Sequence, residues 1–189
     1  ILFQTAEALK ALAVELGIPF IFKASYDKAN RMSIRSYRGP GLKAGLKILD
    51  RLKRKLGVLV MSYVHSVDEV KPAAEVLDVI QIPALLCRQT DLVVAAARTK
   101  RAINIKKGQF MAPLDMHHII EKAASVGNHN IILTERGTTF GYHNLVNDMR
   151  AIPLMKSLGY PVVYDASHSA QLPGGGAGHS TGNRAMIPY

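Results

Sequence analysis

The chain has 189 residues, 48% hydrophobic and 20% charged, which suits one globular domain with a sizeable core. It contains neither an apolar run long enough for a membrane helix nor a secretory signal pattern, and its single cysteine, Cys87, excludes an intrachain disulfide framework and fits a reducing compartment. A net charge of +10 invites a nucleic-acid reading, but five Phe, seven Tyr and no Trp offer few stacking platforms for single strands.

In chain order, the first element expected is a helix with Leu9, Leu12 and Leu16 on one stripe and Gly17 as its stop. PFIFKAS (19–25) reads as a buried strand that then fills with cations: Lys23, Lys28, Arg31, Arg35 and Arg38, with only Asp27 to offset them. From Lys23 to Lys55 there are eleven Lys or Arg against two Asp. Part of that excess belongs to the wet face of a helix whose apolar stripe is Leu42, Leu46, Leu49, Leu52 and Leu56, with Lys43, Lys47, Arg51 and Arg54 outside it. The rest points to an anionic ligand, although Arg35 and Arg38 are read as surface charges.

Further strands are expected at VLVMSYV (58–64), VIQIPA (79–84), AINIKK (102–107), NIILTER (130–136) and PVVYDAS (161–167). Their continuous β-branched runs suit strands buried on both faces. Between them, Ser66 and Glu69 have the spacing of a capping box. Asp115 is placed to cap a helix that ends at Gly127, and Pro153 is expected to break the segment around it. Cys87 reads as a small buried apolar residue. His117, His118, His129 and His143 lack ligand spacing and are read as surface residues.

Strand–helix alternation means a parallel sheet, either open and doubly wound or closed as a (β/α)8 TIM barrel. Polar groups at or just past the ends of different strands, namely Lys23, His65, Lys106, Arg136 and the Asp165–His168 pair, favour the α/β barrel, which gathers ligand contacts from many strand ends on one face. About six of its eight strands are represented. Residues 1–189 are expected to form one barrel-type catalytic domain, incomplete at both ends, with the first and last strands outside Ile1–Tyr189.

The segments FKASYDKANR, SYRGPG, DVIQIPALLCRQTDL, INIKKGQF and ERGTTFGYHNL, in order and at family-like spacing, resemble the signature segments of the 3-deoxy-D-manno-octulosonate 8-phosphate synthase (2-dehydro-3-deoxyphosphooctonate aldolase) family. The resemblance runs from about Ile1 to Arg184. It implies a barrel, as a rule a homotetramer, that condenses phosphoenolpyruvate with arabinose 5-phosphate and releases phosphate, as a cytoplasmic step of lipopolysaccharide synthesis. It implies that Lys23, Lys28, Lys106 and Arg136 bind phosphoenolpyruvate. Asn30 and Arg31 would bind the sugar phosphate, together with Arg88 of a neighbouring subunit, and Ala84 would join the substrate-binding set. Lys28, Lys106 and His168 would be catalytic, and His168 would ligate the metal in metal-dependent members. The cofactor is therefore either none or one divalent metal. The GGGAG run is implied to be a loop closing over the site, with Arg184 near its end. Small-molecule substrates, and neither nucleic acid nor membrane, are the partners implied.

Three departures stand beside these matches. Tyr63 occupies a position where the family has Asp, Met32 one where it has Ser, and STGNR stands where SGG followed by Arg is usual. The alternatives are a non-catalytic phosphate-binding chain of the same fold and the related seven-carbon synthase, which KANR with SYRGPG argues against.

Overall fold

The computed structural model describes residues 1–176 and 179–188, residue 179 by its backbone alone. Helix α1 (Leu2–Glu15) leads into strand β1 (Ile21–Lys23), followed by α2 (Leu42–Leu56), β2 (Leu59–Tyr63), α3 (Val67–Val76) and β3 (Val79–Ile82). Next come α4 (Thr90–Arg98), β4 (Ala102–Lys106), α5 (Met116–Ala124) and β5 (Ile131–Glu135). A short hairpin, β6 (Thr138–Thr139) and β7 (Leu145–Val146), precedes α6 (Ala151–Lys156), β8 (Val162–Tyr164) and the single turn α7 (Ala166–Ser169). A second hairpin, β9 (Gln171–Gly176) and β10 (His179–Gly182), follows.

All six expected strands form, and they pair in parallel in the order β1-β2-β3-β4-β5-β8. Each strand of this sheet lies beside the next one in the chain, so the order never reverses and the sheet has no topological switch point. That is the arrangement of a partial (β/α)8 barrel, in which all strand ends of one sense share a face. The strands are shorter than their apolar runs because parallel pairing stops where loop geometry begins; β1 pairs only as Ile21↔Leu59, Phe22↔Val60 and Lys23↔Met61. Burial on both faces holds for β3 and for nearly all of β4 and β5, whereas β1, β2 and β8 each keep an exposed position.

Helix α2 packs as its stripe predicts, whereas the expected stripe of α1 does not: Leu9, Leu12 and Leu16 are exposed, and α1 buries the small residues Ala6 and Ala13 instead. Leu46, Leu49, Leu52 and Leu56 of α2 are buried, while Lys43, Lys47, Arg51 and Arg54 face solvent. Each such leucine contributes about 1.5–3 kcal/mol of transfer free energy. Gly45 lets α2 sit directly on Tyr26, since a Cβ there would come within 2.2 Å of the Tyr26 Cβ. Gly17 takes the expected left-handed conformation, at φ +65°. Pro153 lies in the first turn of α6, where its missing N–H costs nothing, so the interruption falls before the helix rather than within it. Neither Ser66 nor Asp115 makes a side-chain cap bond. The Glu69 carboxylate instead accepts from the His65 N–H at 2.8 Å and the Tyr26 hydroxyl at 2.8 Å, which ties the end of β2 to the loop after β1.

The interior carries polar as well as apolar groups. Gln81 Nε2 donates to Asn104 Oδ1 at 2.6 Å, and Asn104 Nδ2 donates to Thr134 Oγ1 at 2.8 Å, a buried ladder across β3, β4 and β5. Beside it lies a fully buried ion pair, Lys107 with Glu135, at 3.5 Å.

Candidate functional site

The C-terminal ends of the sheet strands open on a cavity of about 750 Å³. Lys23 ends β1, Tyr63 ends β2, Lys106 ends β4 and Arg136 follows β5, while Ala84 lies just past β3 and His168 just past β8. The loop after β1 adds Lys28, Asn30 and Arg31. Eight of the nine substrate-binding and catalytic residues expected from sequence thus line one cavity. Arg88 does not: it is exposed, and its carbonyl accepts a hydrogen bond from Lys122 Nζ at 2.8 Å.

The loop is folded by its own contacts. Arg38 and Asp27 form an ion pair, with Arg38 Nε to Asp27 Oδ1 at 2.8 Å, and the Lys28 N–H donates to the Arg38 carbonyl at 2.6 Å. Hydrogen bonding to Arg38 holds the Asp27 carboxyl below its usual range against the opposing effect of burial. Arg38 therefore closes the loop rather than facing the cavity. Gly39 makes this closure possible at φ +125°, where a Cβ would strike the Tyr26 carbonyl oxygen at 2.6 Å.

Two buried cations define the floor. Lys106, 3% exposed, pairs with Asp165 and donates to the Tyr63 hydroxyl at 3.2 Å. Asp165 also accepts from the His168 ring, Nδ1 at 2.8 Å, and from the His168 N–H at 3.1 Å. Burial alone would push the Asp165 carboxyl up, but hydrogen bonds and charge from His168 and Lys106 together hold it well below the usual carboxylate range. The bond to Asp165 takes up Nδ1, and Nε2 has no hydrogen-bond partner among the described residues. Arg136, 4% exposed, spends Nη2 on Gln171 Oε1 at 3.2 Å, while its buried Nη1 has no partner among the described residues. A buried guanidinium donor left open in a cavity is a demand for an anion.

Lys23 carries the largest departure among the cations. Burial pushes its ammonium down to about 7, the charges of Lys28 and Lys106 act in the same direction, and Asp165 opposes them. Lys28 is lowered as well, chiefly by burial and by Arg31 and Lys106. The cavity is thus a cluster of like charges poised to accept negative charge.

The chain matches the model of the DAHP synthetase I family over residues 1–186. It is 62% identical over 186 residues to the 2-dehydro-3-deoxyphosphooctonate aldolase of Geotalea uraniireducens (strain Rf4), covering 98% of this chain and 68% of that protein. Relatives of the same name from Pelobacter propionicus and Geobacter sulfurreducens are 60% and 58% identical over the same shares. The chain belongs to the DAHP synthetase I family.

For this family member, His168 could supply one metal ligand through Nε2, with Asp165 behind the ring as such ligands require. The donor set goes no further: among the described residues no group of three ligand-type side chains gathers around His168. The residues present do not complete a metal site in the cavity. The group that does gather is His117, His118 and Glu121 on α5, exposed and within 4.8 Å of one another. Sequence reading missed this cluster, although Glu121 stands three and four positions after the two histidines, the spacing of helical neighbours.

The cavity of this DAHP synthetase I family member also holds residues the sequence did not single out. Gln109, Gln171, Pro173 and Ser180 line it, and His143, read from sequence as a surface residue, stands exposed at its wall with a left-handed backbone at φ +55°. Gly174 of the GGGAG run lines it as well, from strand β9 rather than from a loop. Asp165 stands with His168 at a strand end in the sequence, but its pairing with Lys106 becomes visible only once β4 and β8 face the same cavity. Residues 177–178 of the GGGAG run lie outside the described residues, and Arg184 sits exposed in a short turn beyond β10. Cys87 is fully buried as expected, its Sγ 3.3 Å from Met111 Sδ. Among the described residues, no helix is long and apolar enough to cross a membrane.

Proposed function

We propose that this chain condenses phosphoenolpyruvate with arabinose 5-phosphate to 3-deoxy-D-manno-octulosonate 8-phosphate and phosphate, as a cytoplasmic homotetramer serving lipopolysaccharide synthesis. One observation carries the reading: the unpartnered buried Nη1 of Arg136, set in a cavity with Lys106 and Lys23. Arg136, Lys106, Lys23 and Lys28 hold the phosphate and carboxylate of phosphoenolpyruvate, the arginine by directed donors and the lysines as point charges. Asn30 and Arg31, with Arg88 from a neighbouring copy, receive the sugar phosphate.

In the reaction, C3 of phosphoenolpyruvate forms a bond to the sugar aldehyde carbon, whose oxygen takes up a proton. Water adds to C2, the C2–O bond to phosphate breaks, and phosphate leaves. The side chains contribute by fixing both anions at reacting distance and by stabilising negative charge as it moves to the aldehyde oxygen and the departing phosphate. Asp165 anchors the Lys106 ammonium and holds the His168 ring through Nδ1. No step is assigned to a metal.

A second reading, phosphate binding without turnover, is favoured by Tyr63. Its phenol stands between Lys106 and Lys23, with Lys23 Nζ 4.0 Å from the ring centroid, in the space where a carboxylate would accept sugar hydroxyls. The deciding experiment measures phosphate release and product mass with phosphoenolpyruvate and each of arabinose 5-phosphate and erythrose 4-phosphate. Release that requires the five-carbon sugar supports the synthase. Tight phosphoenolpyruvate binding with no release under any condition supports the second reading.

A further inference from the structure

The three cavity lysines differ in what holds their amines. Lys106 is paired with Asp165 and bonded to Tyr63. Lys28 sits on the exposed loop, its Nζ 3.1 Å from Ser25 Oγ. Lys23 is recessed at the strand end; its Nζ lies 3.3 Å from the same Ser25 Oγ and above the Tyr63 ring, with no carboxylate in ion-pair contact among the described residues. It is a lysine without a counter-ion, flanked by an aromatic wall, in a cavity whose other cations have donors to spare.

We propose that Lys23 is a covalent capture site for phosphorylated aldehydes, its amine adding to the carbonyl carbon while Arg136 and the loop cations Lys28 and Arg31 hold the phosphate. The lone pair of Nζ attacks the carbonyl carbon, and the carbonyl oxygen takes a proton to give a carbinolamine. Loss of that oxygen as water, with departure of the second amine proton, leaves an imine. One C–N double bond forms, one C–O double bond is lost, and no oxidant or reductant is needed. The nucleophile must be neutral, and the lowering of Lys23 to about 7 by burial, Lys28 and Lys106, against Asp165, supplies it near neutrality. Inorganic phosphate in the cavity occupies the cations that would hold the aldehyde's phosphate, so a filled site protects its own lysine. The inference goes beyond the condensation and does not depend on turnover.

The test uses pyridoxal 5′-phosphate as probe on the intact chain without substrates, borohydride to trap the imine, and peptide mass mapping. The expected result is pyridoxyl addition at Lys23 well ahead of Lys28, Lys106 and the lysines of α2, rising as pH increases through about 7 and slowed by inorganic phosphate. Pyridoxal without its phosphate should show no preference for Lys23. Lys23→Arg should lose the fast phase, and the wild-type map decides the matter even if that variant folds poorly. Labelling spread evenly over surface lysines, faster labelling of Lys28 or Lys106, or indifference to inorganic phosphate overturns the proposal. Absence of turnover in the condensation assay does not bear on it.

Discussion

Replacing Glu135 by glutamine should destabilise the chain far more than any surface substitution, because it strands Lys107. The Lys107 side chain is 1% exposed and its Nζ lies 3.5 Å from Glu135 Oε1. Its other neighbours are long contacts of 3.3–3.5 Å to the carbonyls of Gly108, Met111 and Gly137 and to Thr138 Oγ1. At an effective dielectric of about 20, a 3.5 Å pair is worth roughly 5 kcal/mol, and removal of one partner of a buried pair costs about 3–5 kcal/mol. The amide oxygen of the replacement could still accept from the Arg136 and Gly137 N–H groups, which now reach Glu135 Oε1 at 2.9 and 2.6 Å, so the substitution isolates the charge without undoing the turn. For a chain of this size the melting temperature should fall by roughly 6–20 °C. The assay is denaturant unfolding of Glu135→Gln, Lys107→Met and the double variant as a cycle. The double variant should recover most of the loss, since with both charges removed neither is left buried without its partner. A single-variant cost within about 1 kcal/mol, the range of exposed pairs, or a coupling energy near zero, would refute the reasoning.

Three further outcomes are expected. Arg136→Ala should weaken phosphoenolpyruvate binding by about 10- to 150-fold by calorimetry, the scale of losing charged hydrogen bonds of about 1.5–3 kcal/mol, while the fold, read by circular dichroism, is retained. Phosphoenolpyruvate affinity should fall as pH rises through about 7, because Lys23 must then take up a proton to bind the anion; the loss is at most about tenfold per pH unit from this group, and a flat profile from about pH 6 to 9 speaks against its role. Tyr63→Asp should raise kcat/KM for arabinose 5-phosphate more than it changes phosphoenolpyruvate affinity, and steady-state kinetics with calorimetry on the same preparation separates the two.

The strands were legible because β-branched runs such as VIQI and AINIK need no context, and the cations at their ends were legible because charge abutting such a run is costly without a purpose. Caps were not. Ser66 and Glu69 have the right spacing, yet the Glu69 carboxylate finds the His65 N–H and the buried Tyr26 hydroxyl instead, a competition that depends on where the loop after β1 lies. Pro153 marked a boundary but not its side. His143 was read as surface because its place on the cavity wall depends on the β6–β7 hairpin, whose strands are two residues each and leave little periodic signal. Asp165 is 59 residues from Lys106 in the chain, and only the sheet brings them together.

Because each sheet strand lies beside the next one in sequence, the sheet can be built in the direction of synthesis, every new unit docking on the edge left by the last. The cavity matures on the same schedule. Lys23, Tyr63, Lys106 and Arg136 all precede β8 in the chain, so during synthesis Lys106 is made before the Asp165 carboxylate that pairs with it. The last strand of the sheet therefore brings the charge that makes the earlier burial tolerable, and amide protection during refolding should extend from β1–β4 to β8 only after Asp165 and Lys106 have met.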